Sequence, residues 1–360
     1  MAKSAAAGQN AGYRRRRVSN ARVGIDVFVG GVVVMNAGSV SKLAIIAAPK
    51  AFRGHTGTIQ RNAIASWRRL GRDVEILLGG DEEGLIDVAR EHRATCLGPI
   101  EQGVDGPPRV DDLFAKAAAS SRAGLFAYVN ADIMLMPDWL DAVMQVERLA
   151  PAHFLAIGRR IDLDVEAPIA FADPTACAAL LARARTEGRL AARVCKDYFV
   201  FRRGCFSHVP AFTLGRAYWD NWMVYDAHRR GLPVVDITGS STAIHQNHDY
   251  AHLTGGRLSA YLTSRGARNN RLLAGGSRMI SGAAASCRLD ARGTIETLRL
   301  PALVAFGADL DRFVALTASV VLSGAVQFVR QATVLTGSRG RPSAGQESGS
   351  LPKMPARQAA

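Results

Sequence analysis

The chain has 360 residues, enough to bury a sizeable core as one large domain or two modest ones. Its 48% apolar and 21% charged residues are ordinary globular composition and exclude bulk disorder, collagen and a coiled-coil rod. The five cysteines (Cys96, Cys177, Cys195, Cys205 and Cys287) are odd in number, far apart and without a C-x-x-C pair, which argues against a disulfide scaffold or zinc ribbon and for a reducing compartment.

The formal net charge of +14 is concentrated at the ends. Residues 1–22 carry +6 and residues 330–360 carry +4, leaving +4 for the 307 residues between them. The body is only mildly basic, so no specific nucleic-acid partner is expected. Basic tails of this kind act as solvated arms or bind anionic lipid non-specifically, a peripheral membrane contact worth about 1 kcal/mol per charge.

In chain order, Arg14–Arg17 and the apolar run Val23–Val34 resemble a signal peptide in outline. Asp26 interrupts the run, no small-residue cleavage site follows, and its 12 residues fall short of the roughly 20 that cross a bilayer. Met35 is an alternative start. From Lys42, short apolar runs alternate with helix-like segments. Leu43–Ala48 reads as a strand, Ile59–Leu70 as a helix, Val74–Leu78 as a strand and Leu85–Arg93 as a helix. Val110–Ser121 then reads as a helix and Leu125–Val129 as a strand. Strands separated by helices of this length imply crossover connections and a largely parallel sheet. Phe154–Gly158, Tyr198–Phe201 and Val234–Ile237 read as further strands, and Gly215–Arg230 as a helix. The uncharged stretch 313–329 has 17 residues, diluted by Thr317, Ser319, Ser323, Gly324 and Gln327. It is expected to pack on the domain or lie at a membrane surface rather than span one.

In open α/β sheets the binding crevice lies beyond the carboxyl ends of the strands. Lys50 and Arg53 follow the first strand, Asp81 follows the second, and Asn130 with Asp132 follows Leu125–Val129. Cationic side chains beside acids suit an anionic ligand with a metal ion, because Mg²⁺ and Mn²⁺ bridge carboxylate and diphosphate oxygens. Asn130-Ala131-Asp132 has the form of a D-x-D metal motif whose first acid is replaced; the alternative is a polar strand-to-loop turn. His245, His248 and His252 form H-x-x-H-x-x-x-H, which either binds zinc or is a hydrogen-bonded polar loop.

The run from Ala48 to Asp132, with APKAF, IQRNAIASW, GGDEEG and YVNADI, resembles the nucleotide-diphospho-sugar transferase fold of GT-A glycosyltransferases. Within these it is similar to a bacterial group associated with polysaccharide synthesis, which KDYFVFRRGCF, GRAYWDNWMVYDAHRRG and TAIHQNHDYAH also fit. The likeness covers residues 42–275. It implies an α/β architecture, a GT-A Rossmann-like mixed, mainly parallel sheet flanked by helices. The expected organisation is a basic, disordered arm (1–40), a glycosyltransferase domain (41–290), a C-terminal helical extension (291–336) and a disordered tail (337–360).

The resemblance also implies roles. Asp81 would hold the nucleoside, Lys50 or Arg53 would add a cation near the phosphates, and Asn130 would bond ribose or phosphate through its amide. Asp132 would bind Mn²⁺ or Mg²⁺ together with His245 or, second, His248. Trp219-Asp220-Asn221-Trp222 resembles the segment beneath the acceptor in many inverting GT-A enzymes, with Asp220 as base. The two tryptophans also share a helix face, which suits core packing, and Asp220 near a helix N-terminus also suits a buried capping or ion-pair acid. The implied activity is sugar transfer from a nucleotide-diphosphate donor to a glycan or other hydroxyl acceptor, in the cytoplasm or at the inner face of the cell membrane. Two other readings stand: a sugar-1-phosphate nucleotidyltransferase, which needs a longer Gly-rich basic loop after the first strand, and a non-catalytic glycan- or nucleotide-binding module.

Overall fold

The apolar run LAIIA forms β1 (Leu43–Ala47), fully buried, in a computed structural model that describes residues 43–150, 152–193, 195–248, 261–276 and 285–298. The basic arm, His252, the 313–329 stretch and the C-terminal tail lie outside the described residues. β1 is flanked in parallel by β2 (Val74–Leu78) and β4 (Leu125–Val129), and β2 is extended by β3 (Thr95–Cys96). β9 (Tyr198–Arg202) then runs antiparallel to both β4 and β6 (Leu155–Ile157). Beyond β6 come β10 (Val234–Asp236), β12 (Cys287–Leu289) and β13 (Ile295–Thr297), completing the order β13-β12-β10-β6-β9-β4-β1-β2-β3. Five of the eight pairings are parallel, so the sheet is mixed and mainly parallel, as expected of this α/β chain.

Strand side chains alternate between two helix-covered faces. Leu43, Ile45 and Ala47 pack with Ala63, Ile64 and Trp67 of α1 (Gly54–Arg69), with α2 (Leu85–His92) and with Trp139 and Val143 of α4 (Pro137–Leu149). Ala44 and Ile46 face the opposite layer, where α3 (Val110–Ser120) and α6 (Trp219–Arg229) bury Leu113, Phe114, Trp219 and Met223. Covering both faces requires the near-continuous apolar runs by which these strands are read.

Two element boundaries differ from the sequence reading by more than one residue. α1 begins at Gly54, five residues before Ile59, because Gly57 lets the first turn close on Phe52, where a Cβ would meet the carbonyl carbon at 2.6 Å. α6 begins at Trp219 rather than Gly215, behind Tyr218, whose φ of 88° is incompatible with a continuing helix.

A second sheet is absent from the sequence reading: β5 (Ile133–Leu135), β11 (Ala243–Gln246), β7 (Ile161–Leu163) and β8 (Arg189–Leu190), in the order β5-β11-β7-β8. Strands of two to four residues are too short to show a period. This sheet packs against α5 (Pro174–Thr186) through Met134, Leu163, Leu180 and Ile244. α5 opens on an Asp173 cap that accepts the Thr175 N–H, with Pro174 at the first helical position. Among the described residues, no helix is long and apolar enough to cross a membrane.

Gly158, just beyond β6, leads the chain toward β7. A Cβ there would lie 1.8 Å from the Tyr198 hydroxyl, which is buried and sits 3.3 Å from Ser241 Oγ. Gly158→Ala is therefore expected to destabilise the fold by about 1–3 kcal/mol, as overpacking does. Thermal unfolding should show a lowered midpoint, and Tyr198→Phe in the same background should recover part of the loss.

Candidate functional site

The site grows out of the register of β11. His245 sits opposite Ile133 of β5 on one side and opposite Asp162 of β7 on the other. Asp132 immediately precedes β5, so this pairing delivers a carboxylate and an imidazole to one corner. Gln246, fully buried, locks it: its backbone N–H and side-chain amide both donate to the Asp132 carbonyl, at 3.3 and 3.2 Å. The same amide donates to the Ile59 carbonyl at 2.7 Å and accepts from Asn62 at 2.9 Å, tying the corner to α1.

There, Asp132 Oδ2 lies 3.6 Å from His245 Nε2 and 3.3 Å from His248 Nε2. One ligand atom from each residue falls within 4.8 Å of the others. Asp132 Oδ1 and both ring nitrogens of His245 are buried without a hydrogen-bond partner. Burial alone would push the Asp132 carboxyl up; the two imidazoles outweigh it and hold the acid well below the usual carboxylate range.

Behind His245 runs a line of buried charge. His245 Nδ1 is 3.0 Å from Asp162 Oδ1, which accepts from Arg160 Nε at 2.8 Å. Arg160 Nη1 donates to Asp197 Oδ1 at 2.7 Å, and Asn130 Nδ2 donates to the same oxygen at 2.8 Å. Asn130 Oδ1 accepts from the Tyr128 hydroxyl at 2.8 Å. The Asn130–Asp197 pair continues the β4–β9 ladder by one step beyond Val129 and Tyr198. Desolvation works against the charge on Arg160, but its two carboxylates more than offset this and raise its pKa.

A second acid stands beside this line. Asp220, in the first turn of α6, is 7% exposed; its Oδ2 accepts from the Tyr261 hydroxyl at 3.3 Å and lies 3.8 Å from Lys196 Nζ. Lys196 Nζ donates to Asn221 at 2.7 Å. Burial pushes the Asp220 carboxyl up and the Lys196 ammonium down, while their mutual attraction opposes both shifts. Tyr218 caps α6 in the left-handed region, where a bulky residue costs about 1–3 kcal/mol, a strain concentrated next to Asp220.

Of the residues singled out in the sequence, Asp132, His245 and His248 come together. Lys50, Asp81 and Asn130 follow the carboxyl ends of the adjacent parallel strands β1, β2 and β4, with Lys50 and Asp81 exposed. Arg53 is exposed too and ion-paired with Glu83. Asn130 uses both ends of its amide inside the protein, on Tyr128 and Asp197. Trp219 is core, its ring 5.0 Å from Tyr128 and 5.3 Å from Phe199, and Trp222 packs on Phe212 at 5.4 Å. Sequence reasoning missed Arg160, Asp162, Lys196 and Asp197. The available signals were R-x-D at period two beside a strand, and an adjacent Lys-Asp pair opening the apolar run of β9.

No protein-family model matches the chain, and no curated protein matches it. Among solved structures it is similar to glucosyl-3-phosphoglycerate synthase from Mycobacterium tuberculosis. In that protein's complex with UDP, identity is 13%, coverage is 72% of this chain and 87% of that one, and the TM-score is 0.41. In its complex with Mn²⁺, UDP and phosphoglyceric acid the values are 12%, 65%, 78% and 0.39. A further mycobacterial protein is 16% identical over 67% of this chain and 75% of that one, with a TM-score of 0.38. At these identities and TM-scores the likeness carries no argument about this chain's activity, which has to be built from its own side chains.

The Lys196–Asp220 pair can be tested directly. Lys196→Met should cost about 3–5 kcal/mol at neutral pH, because it leaves a buried carboxylate without its cation. An acid whose folded pKa is raised opposes folding above its unfolded pKa and stops doing so once protonated. The deficit relative to wild type in denaturant titrations should therefore shrink as pH falls through the Asp220 pKa.

Proposed function

We propose that the chain is a metal-dependent glycosyltransferase of the GT-A type, moving a sugar from a nucleotide-diphosphate donor to a hydroxyl acceptor. The observation that carries this reading is the Asp132–His245–His248 cluster at the carboxyl end of the parallel strands. Its chemistry fits a divalent cation: buried donor atoms without partners converge within coordinating reach. Formal charge agrees. Asp132, Asp162, Asp197 and Asp220 face only Arg160 and Lys196 as permanent cations among the described residues, an excess of two negative charges.

Asp132, His245 and His248 would hold Mn²⁺ or Mg²⁺, and two imidazoles in the set favour Mn²⁺ over the oxygen-preferring Mg²⁺. When bound, such an ion neutralises charge developing on the departing nucleoside diphosphate. Asp81 would take the nucleoside and Lys50 would face the phosphates; Arg53 would do so only after leaving Glu83. Asn130 would act by orienting Asp197 rather than by bonding the donor. Asp220 would accept the acceptor hydroxyl's proton, and its raised pKa brings it nearer the range where a base works well. A role in polysaccharide or glycoconjugate synthesis, at the cytoplasmic side of the cell, belongs to the same reading.

The nucleotidyltransferase alternative loses support from α1. A long Gly-rich loop after β1 is what that chemistry needs, and Gly54-His55-Thr56-Gly57-Thr58 is helical. Release of nucleoside diphosphate, rather than pyrophosphate, would distinguish the two.

A thermal-shift series of nucleoside diphosphates is the primary test, since a ligand that binds the native state raises the unfolding midpoint. One nucleoside diphosphate should stabilise the protein with Mn²⁺ present, more than with equal Mg²⁺. Asp132→Ala should lose that metal-dependent shift and all transfer while keeping its metal-free midpoint. No shift with any nucleoside diphosphate, or full turnover in Asp132→Ala, would remove the proposal. Asp220→Asn should lower transfer by about 10²–10⁴-fold with nucleotide and Mn²⁺ binding retained, read from kcat against the thermal shift. A variant that turns over normally would clear Asp220 of the base role.

A further inference from the structure

We infer that Asp162, held by Arg160, is the positioning residue of His245: with Oδ1 3.0 Å from Nδ1, a small turn of the ring lets it accept the Nδ1 proton and thereby present Nε2, as an electron-pair donor, to the corner where Asp132 lies. This rests on the metal-site reading above and extends it to residues outside the ligand set.

Three observations carry it. The parallel β7–β11 register sets Asp162 directly opposite His245, so the 3.0 Å approach of Oδ1 to Nδ1 follows from backbone pairing rather than from a chance rotamer. Arg160, just before β7 and two residues before Asp162, grips that carboxylate at 2.8 Å while its Nη1 holds Asp197 at 2.7 Å. The guanidinium is 6% exposed and the two carboxylates 14% and 9%, so the grouping is shielded from water. A histidine ligand whose second nitrogen donates to a carboxylate has its tautomer and ring orientation fixed, and its donor nitrogen made more basic. The planar fork of Arg160 suits a bidentate bridge between two acids, which a lysine cannot reproduce. Asp162 touches neither donor nor acceptor in this scheme and acts only through His245.

The test measures Mn²⁺ affinity and ligation on the full chain without substrate. Free Mn²⁺ is titrated by EPR, and the bound ion is examined for ¹⁴N couplings from its imidazole ligands. Asp162→Asn should raise the Mn²⁺ Kd by about 10–100-fold and weaken or remove one ¹⁴N coupling, with the metal-free unfolding midpoint close to wild type. Arg160→Lys should shift the Kd in the same direction by about tenfold, and Asp162→Glu should recover part of the loss. Wild-type Kd and both nitrogen couplings in Asp162→Asn would overturn the inference. If Asp162→Asn fails to fold, the same measurement on Asp162→Glu and Arg160→Lys decides it, and wild-type values in both overturn it. A wild-type protein that holds no Mn²⁺ would instead overturn the metal-site reading, a separate and recognisable failure.

Discussion

The register of one four-residue strand brings together the side chains of the candidate site. β11 runs between β5 and β7, antiparallel to the first and parallel to the second, and that pairing sets His245 beside Asp132 on one side and Asp162 on the other. A slip of one residue would turn His245 to the opposite face and bring Ile244 or Gln246 into its position. Gln246 resists such a slip, because its buried amide bonds to α1 and to the Asp132 carbonyl only in the observed alignment. The small sheet thus fixes where Asp132 and His245 meet, at the carboxyl end of the large sheet's parallel strands.

Electrostatics explains why so much charge is kept out of water. Isolated buried carboxylates are costly, and buried Asp197 and Asp220, with the half-buried Asp162, each lie beside a cation. Arg160 is shared between two of them, and Lys196 stands by the third. Among the described residues, Arg160 and Lys196 are the permanent cations ion-paired with these acids.

The two ends of the buried line answer to different parts of the proposed reaction. One end is the Asp132–His245–His248 corner, suited to a metal-bridged diphosphate. The other is Asp197 with Asn130, next to the Asp220–Lys196–Tyr261 wall, suited to hydroxyl groups and proton transfer. Hydrogen bonds from Arg160 reach both, through Asp162 on one side and Asp197 on the other. Gly158 brings the chain to it past the ring of Tyr198, where no side chain fits.

The sequence by itself determined the large sheet. LAIIA, VEILL and LFAYV are apolar at every or nearly every position because both of their faces are covered, and that pattern can be read without coordinates. It likewise located Asp132 and the histidines, since a polar residue just after a buried strand stands out from its apolar context. Tertiary structure alone decided what those residues meet. β5, β7 and β11 are too short to carry a period, so neither their existence nor their register could be read. His245 and Asp162 are 83 positions apart in the sequence, and Asn130 and Asp197 are 67 apart, yet each pair is joined across adjacent strands. Local pattern records how much of a residue is buried; which residue lies across from it depends on strand pairing, and strand pairing is a property of the whole fold.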